Sequence, residues 1–214
     1  MHNSATLKNE LIFQYASGTC NLAKSLMASS YLFLNSKESD LFSQFENYCG
    51  KEFDEVTQIN SKNLSVEKCI TTDQIKIDKT KSTEINPINK FIKSLRDLKW
   101  VKKFNGFYEY SFKLSNNEKA KLIKMNPGTR VPLHSHKGKE YILVLEGKFS
   151  DEYGLYSKGD LQINDSKIKH TPVACLKEGC ICLIISEEDL VFYGPFSPIL
   201  NLMTFIKSII FNSK

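Results

Sequence analysis

The sequence predicts an α+β protein in which a small helical domain precedes an all-β barrel. Apolar residues recur at three- and four-residue steps between residues 6 and 49, which is typical of amphipathic helices. From residue 99 the period shifts towards two, with glycine, asparagine, aspartate and lysine between short apolar stretches. Many short strands with regular turns indicate a sandwich or a barrel. We therefore expect a helical domain at residues 1–50, a linker at 51–86 and a β domain at 87–214.

Three short helices are expected in the first domain. Leu7, Leu11 and Tyr15 share one face of the first helix. Gly18 suits the end of this helix, and Asn21 can cap the second. The third is expected at residues 39–48. Because helices of this size cannot bury their apolar faces alone, they either cap the barrel or bind another protein.

The middle of the chain is polar and charged, so residues 51–86 predict a linker with one short helix near residues 66–70. A further helix is expected at residues 87–98. Pro87 is tolerated at a first helical position, and Ile88, Phe91, Ile92 and Leu95 lie on one face.

Nine strands are expected in the β domain, at residues 100–104, 107–114, 120–125, 140–146, 148–152, 160–164, 170–174, 180–186 and 190–192. The pair Asn105-Gly106 predicts a hairpin turn between the first two. Residues 200–211 are apolar and could add a final helix or strand to the barrel.

Three of the four histidines and one glutamate predict a metal site in this barrel. His134 and His136 are two residues apart, so in a strand their side chains point to the same face. Glu140 has the same parity if the strand resumes after Gly138, and His170 can complete the set from a neighbouring strand. Imidazole and carboxylate ligands suit zinc, iron, manganese, nickel or copper. The competing interpretation is a histidine pair on a solvated strand edge, with the glutamate as a surface charge.

Charge and cysteine content limit the other possibilities. The net charge of +5 comes from the middle of the chain, where basic residues alternate with acids, so direct nucleic-acid binding is not expected. The polar N-terminus predicts no export signal, and no apolar run approaches the roughly 20 residues of a membrane span.

We expect a cytoplasmic protein whose six cysteines are reduced thiols. Cys180 and Cys182 share strand parity and could sense oxidants beside the metal, or be buried small hydrophobes.

The spacing of the site residues resembles the first motif of the cupin superfamily. That motif is a glycine, five residues, H-x-H, three or four residues, a glutamate, six residues and a glycine. Gly128, His134, His136, Glu140 and Gly147 match every interval. The second cupin motif is not matched, because Lys158-Gly159-Asp160 stands where P-x-G is usual and His170 comes later.

A closer resemblance, to ChrR-type anti-sigma factors, covers nearly the whole chain. The segments that carry it are Pro127-Gly128, His134-Ser135-His136, Glu140, residues 144–152, Tyr156, Gly159-Asp160, His170-Thr171-Pro172 and Gly179-Cys180. This resemblance implies a double-stranded β-helix, or jelly-roll, that binds zinc through His134, His136, Glu140 and His170. It also implies that the N-terminal helices bind an extracytoplasmic-function sigma factor. Residues 11–19 resemble the family's first helix, L-x-x-Y-A-x-G-T.

The N-terminal half departs from the family at a second zinc site. His2 could stand for its first ligand, but Tyr31, Asn35 and Glu38 occupy the positions of the other three. One histidine cannot hold a metal, so we expect no second zinc in this half. Packing of Tyr31, Phe33 and Leu34 could hold the helices instead.

The resemblance favours a transcriptional regulator that sequesters a sigma factor and senses an oxidative signal through its metal-binding cupin domain. The alternative is a metal-dependent cupin enzyme of the dioxygenase type, and the sequence leaves enzymatic activity open. No catalytic residue is assigned, and Tyr110, Arg130 and Tyr141 are the only further candidates. A third possibility is a metal-binding cupin without a sigma partner.

Overall fold

The computed structural model describes residues 4–60, 95–114, 119–195 and 197–202. Three helices come first: α1 is Ser4–Ala16, α2 is Leu22–Leu34 and α3 is Ser39–Asn60. The Asn21 side chain caps α2 by accepting a hydrogen bond from the backbone amide of Lys24 at 2.9 Å, as the sequence predicts. Helix α3 continues well past the predicted end at residue 48, so the first residues of the expected linker are helical.

In the described part of the chain, ten strands follow the helices. They are β1 Val101–Phe104, β2 Phe107–Lys113, β3 Lys119–Met125, β4 His134–His136, β5 Glu140–Asp151, β6 Gly154–Ser157, β7 Leu161–Asn164, β8 Val173–Ala174, β9 Cys180–Ser186 and β10 Leu190–Phe192. Eight form one antiparallel sheet in the order β1-β2-β3-β9-β5-β6, with β7 and β8 also paired to β5. The other two, β10 and β4, pair with each other. The expected hairpin joins β1 to β2, and Gly106 there has the positive φ of 78° that its turn requires.

The two faces of the large sheet belong to two separate apolar cores. Alternation along β5 sends Leu143 towards the helices and sends Ile142 and Val144 into the barrel. The same alternation runs along β9, where Leu183 faces the helices and Cys182 faces the interior. The central sheet therefore separates a helical layer from a barrel cavity.

The helices cap the barrel, so the first of the two expected arrangements is the one observed. Leu11, Ile12, Met27 and Tyr31 share a core with the outer face of the sheet. Polar contacts surround this core. The Asn35 side chain donates to the carbonyl of Gly159 at 2.9 Å, and Lys24 pairs with Glu187 at 2.8 Å, both between helical layer and barrel.

Most predicted strands are confirmed, with four differences. Strand β4, His134–His136, is not among the nine expected strands, although the parity argument placed these histidines in a strand. The segments expected at 140–146 and 148–152 form one strand, β5. It passes the start of β9 at Gly147, where a side chain would collide with the Gly179 carbonyl. Strand β6 lies between the segments predicted as strands at 148–152 and 160–164, where the sequence predicted no strand. His170 lies ahead of β8 and is joined to His134 by an isolated bridge.

Other expectations fall partly or wholly outside the described residues. The helix near residues 66–70 lies outside them, and of the helix at 87–98 only a 3-10 turn, Leu95–Asp97, is described. Residues 197–202 are helical, and the rest of the apolar C-terminal stretch is not described. The domain boundaries at residues 50 and 86 stay predictions.

Replacing Met27 with alanine should lower the free energy of unfolding by about 2–5 kcal/mol, because the side chain is fully buried between helices and sheet. The control is Phe33→Ala on the same helix, whose side chain is 55% exposed and whose loss should cost far less. Urea unfolding followed by circular dichroism measures both. Equal effects of the two substitutions would contradict a core shared by the two layers.

Candidate metal centre

Backbone pairing places His134 and His170 opposite each other. The amide of His134 donates to the carbonyl of His170 at 3.1 Å, and the reverse bond is 3.0 Å long. On its other side β4 pairs with β10, with Phe192 opposite His134 and Leu190 opposite His136. Both histidines of β4 are buried, so the interpretation as a solvated edge is wrong.

Glu140 enters the same space from the first residue of β5. It lies between Asn164 on β7 and Ser186 on β9 in the sheet register. The Ser186 hydroxyl donates to Glu140 Oε1 at 3.4 Å. Glu140 therefore points into the same space as His134 and His136, as the predicted strand parity requires.

The four predicted side chains converge on one point. One ligand atom from each of His134, His136, Glu140 and His170 lies within 4.8 Å of all the others, and all four residues are buried. Nε2 of His170 is 3.1 Å from Nε2 of His134 and 3.3 Å from Nε2 of His136. Glu140 Oε2 is 3.1 Å from His136 Nε2. The arrangement is a group of three histidines and one glutamate that is compatible with a metal ion.

The hydrogen bonds on the far side of two rings fix which nitrogen faces the centre. His134 Nδ1 is 2.8 Å from the Pro132 carbonyl, which can only accept, so this nitrogen carries the proton. His170 Nδ1 is 2.9 Å from Asp151 Oδ2. Burial alone would raise the pKa of Asp151, but hydrogen bonds from His170 and Gln162 hold that pKa below its usual value. The carboxylate of Asp151 is therefore ionised and accepts a hydrogen bond from the protonated Nδ1 of His170.

When both rings are neutral and carry their proton on Nδ1, which is the form that binds a metal, the two Nε2 atoms present lone pairs to each other across 3.1 Å. Such a contact is repulsive unless a proton or a metal ion lies between the atoms. Glu140 Oε2 is fully buried and accepts no hydrogen bond within the described part of the chain. Both features fit a metal ion bound by these atoms.

The distances also fit metal bond lengths. Two ligands about 2.05 Å from one ion are about 3.3 Å apart at a tetrahedral angle and about 2.9 Å apart at a right angle. Three of the six separations between ligand atoms are 3.1–3.3 Å and fall between these values, and the others are within 4.8 Å. They match metal coordination and leave the choice of element open.

Burial also favours the neutral forms of His134 and His136, and a metal ligand has to be neutral. Burial, followed by the charge of His170, lowers the pKa of His134 to about 4. Burial, with the charges of His134 and His170, lowers the pKa of His136 to about 3. Burial raises the pKa of Glu140, so in the absence of a cation its ionised form is disfavoured.

The two predicted redox cysteines face the barrel interior on β9, and both are buried. A hydrogen bond with Cys180, together with burial, raises the pKa of Cys182 well above its usual value. The reactive thiolate of Cys182 is therefore scarce at neutral pH. A redox role for the pair stays a prediction.

Three further candidates lie away from the metal group. Tyr110 and Tyr141 pack in the core beneath the helices, and Arg130 is exposed on the segment bridged to Val173. Asp151, in contrast, was not predicted, although it orients a site histidine. It is far from His170 in sequence, and only the register of β5 and β8 brings the two together.

Polar contacts in the helical layer involve the three residues that stand at the positions of the family's second zinc site, Tyr31, Asn35 and Glu38. Tyr31 donates to Glu38 at 3.4 Å, and Asn35 donates to the carbonyls of Tyr31 and Gly159. His2 lies outside the described residues, so the expected absence of zinc there stays a prediction. Among the helices that the structure describes, none is both long and apolar enough to span a membrane.

Comparisons with known proteins match the β domain by sequence, and match the helices and the β domain together by structure. The family described as the ChrR cupin-like domain matches residues 90–188. The anti-sigma-E factor ChrR of Cereibacter sphaeroides is 36% identical over 98 residues, which are 46% of this chain and 46% of that protein. The chain thus spans about half the length of this curated relative.

A solved structure is also similar, the Rhodobacter sphaeroides SigE in complex with the anti-sigma ChrR. The match has a TM-score of 0.65 and 25% identity, and covers 84% of this chain and 96% of that chain. The predicted α+β fold with a cupin-like domain is confirmed, as is the resemblance to ChrR.

Replacing His134 with alanine should abolish stoichiometric metal binding, because one of four converging ligands is lost. It should also lower the melting temperature of the barrel. Metal analysis of the purified protein by mass spectrometry measures the first effect. The matched control is His2→Ala, the remaining histidine of the chain. Equal metal content in the wild-type protein and His134→Ala would rule out this ligand set.

Asp151→Asn should weaken metal affinity by about 10–100-fold while leaving all four ligands in place, because the amide no longer orients His170 as a carboxylate does. Competition with a chromogenic chelator measures the affinity. Asp97→Asn, an exposed carboxylate on the 3-10 turn, is the control and should bind metal like the wild-type protein. An unchanged affinity in Asp151→Asn would remove this carboxylate from the site.

Proposed function

We propose that this chain, which is similar to ChrR in its cupin-like domain and its overall fold, is an anti-sigma factor. It sequesters an extracytoplasmic-function sigma factor in the cytoplasm through its N-terminal helices. The observation that carries the proposal is the similarity to the ChrR chain of the SigE complex, because it includes the helical layer as well as the barrel.

The helical layer has an outer side that suits a protein partner. Its inner side is taken up by the barrel, whereas Leu22, Phe33 and Tyr48 remain 50–60% exposed. Exposed aromatic and aliphatic side chains on adjacent helices provide the apolar contacts that dominate protein interfaces. We assign sigma-factor binding to this outer side.

The metal of the cupin domain is zinc in this proposal, held by His134, His136, Glu140 and His170. When bound, zinc with four protein ligands stabilises the fold in the manner of a structural site. Iron, manganese or nickel would suit the same donors. Asp151 and the Pro132 carbonyl keep two imidazoles in the orientation that the ion needs.

The signal in this proposal is oxidative and acts at the barrel. Oxidation of a ligand or of the Cys180–Cys182 pair would weaken the metal centre and so change the packing of the helices on the sheet. The raised pKa of Cys182, caused by Cys180 and by burial, favours the metal ligands over this thiol as the first point of attack.

A metal-dependent enzyme is the second candidate, because a cavity of about 830 Å³ adjoins His134 and Glu140. Oxygen uptake by the iron-loaded protein in the presence of candidate substrates distinguishes the two. Turnover without any effect on a sigma factor would favour the enzyme.

The purified full-length chain should bind at least one extracytoplasmic-function sigma factor from the same cell and inhibit transcription from its promoter. Phe33→Ala should weaken this binding about tenfold or more, because it removes an exposed aromatic contact of the helical layer. Binding is measured by biolayer interferometry, and inhibition by transcription in vitro.

The matched control is Tyr153→Ala, since Tyr153 is also 55% exposed but lies on the barrel. It should bind the sigma factor as the wild-type protein does. If no such sigma factor binds, with or without zinc, the proposal is wrong.

A further inference from the structure

The barrel contains a cavity that the metal centre does not fill. Its volume is about 830 Å³, within the range of pockets that take small organic molecules. Aromatic and aliphatic side chains form most of its wall, among them Phe104, Phe107, Ile123, Met125, Phe149 and Phe192. Such a lining excludes strongly hydrated ligands and favours a molecule with an apolar body.

One end of this cavity meets the metal group. His134 and Glu140 both form part of its wall, together with Ser186, which hydrogen-bonds to Glu140. A divalent ion on three neutral histidines and one carboxylate leaves a net charge of one positive unit at this end.

A second positive charge lies on the same side of the cavity. Lys121 projects from β3 with the parity of Ile123 and Met125, which face the interior. In the sheet register Lys121 lies opposite Ile184 on β9, two residues before Ser186, which itself lies opposite Glu140. The ammonium group is thus near the metal end of the cavity.

Lys121 forms no direct ion pair with Glu109, which lines the cavity from β2 and is bound by Lys103 at 3.2 Å. Over the whole wall outside the metal group, three lysines match three carboxylates, so the net charge of the metal-loaded cavity is the one positive unit at the metal end. These residues are Lys102, Lys103 and Lys121, and Glu109, Glu188 and Asp189. Within the described residues, no carboxylate approaches the Lys121 ammonium to ion-pair distance. Glu188 and Asp189 also line the cavity, from the turn that leads into β10.

We propose that this cavity binds a small amphipathic anion, a monocarboxylate with a hydrocarbon body. The carboxylate lies at the end formed by Lys121 and the metal group, and the hydrocarbon body lies among the aromatic side chains. A neutral molecule of the same shape would leave the lysine without a direct ion-pair partner and the positive metal end uncompensated in a partly dehydrated space. This inference does not depend on sigma-factor binding.

The probe is octanoate, added to the zinc-loaded full chain and measured by isothermal titration calorimetry. One equivalent should bind saturably, and 1-octanol, which has the same chain without the charge, should bind about tenfold more weakly. Lys121→Met keeps the apolar stem and removes the charge, so it should reduce octanoate affinity to that of 1-octanol. The control Lys124→Met alters a lysine on β3 with the opposite parity and should bind octanoate normally.

A second variant tests the place of binding. Val131 lines the cavity and is only half-buried, so Val131→Trp should fill part of the space without unfolding the chain. Thermal unfolding and zinc content are measured for every variant, and only folded, zinc-loaded proteins are compared. Val131→Trp should bind neither octanoate nor 1-octanol.

Three results would overturn the proposal. The first is the lack of saturable octanoate binding to the wild-type chain. The second is equal affinity for octanoate and 1-octanol, or no effect of Lys121→Met, either of which removes the role of charge. The third is undiminished binding to Val131→Trp, which places the ligand outside the cavity.

Discussion

Two buried imidazole nitrogens, Nε2 of His134 and Nε2 of His170, face each other at 3.1 Å, and the barrel is organised to hold them there. Each ring is fixed from behind, one by the Pro132 carbonyl and the other by Asp151. Without a metal ion the arrangement costs free energy through burial of Glu140 away from water, and through lone-pair repulsion whenever neither Nε2 carries a proton. A bound metal removes both costs. The strands that supply the ligands, and the segment ahead of β8, are therefore stabilised by the ion that they bind.

The sheet behind the site links the metal to the helices. Glu140 and Tyr141 are neighbours on β5, and they face opposite sides of the sheet. Tyr141 packs in the core shared with α2, where the Lys24 ammonium lies 5.7 Å from its ring centre. The strand that positions a metal ligand is thus the strand on which the helical layer rests. In the proposed regulator, in which the helices would bind the partner and the barrel would receive the signal, this connection is short and consists of packed side chains.

Local patterns were sufficient to predict much of this architecture. The two-residue spacing of His134 and His136, the turn at Gly106 and the cap at Asn21 are short-range features, and each holds in the structure. What could not be predicted depends on register between distant strands. Asp151 reaches His170 only because β5 continues past Gly147 and pairs with β8. Likewise, the hydrogen bond from Asn35 to Gly159 joins residues 124 positions apart, and no local pattern indicates it.

Anomalous diffraction from crystals of the full chain, recorded at the absorption edge of the metal found in the protein, tests the central claim most directly. The account predicts one anomalous peak bound by Nε2 of His134, His136 and His170 and by a Glu140 oxygen, at about 2.0–2.2 Å. It also predicts that the Nδ1 atoms of His134 and His170 keep their hydrogen bonds to Pro132 and Asp151. A peak elsewhere, or three imidazoles bound to water with no metal among them, would contradict it.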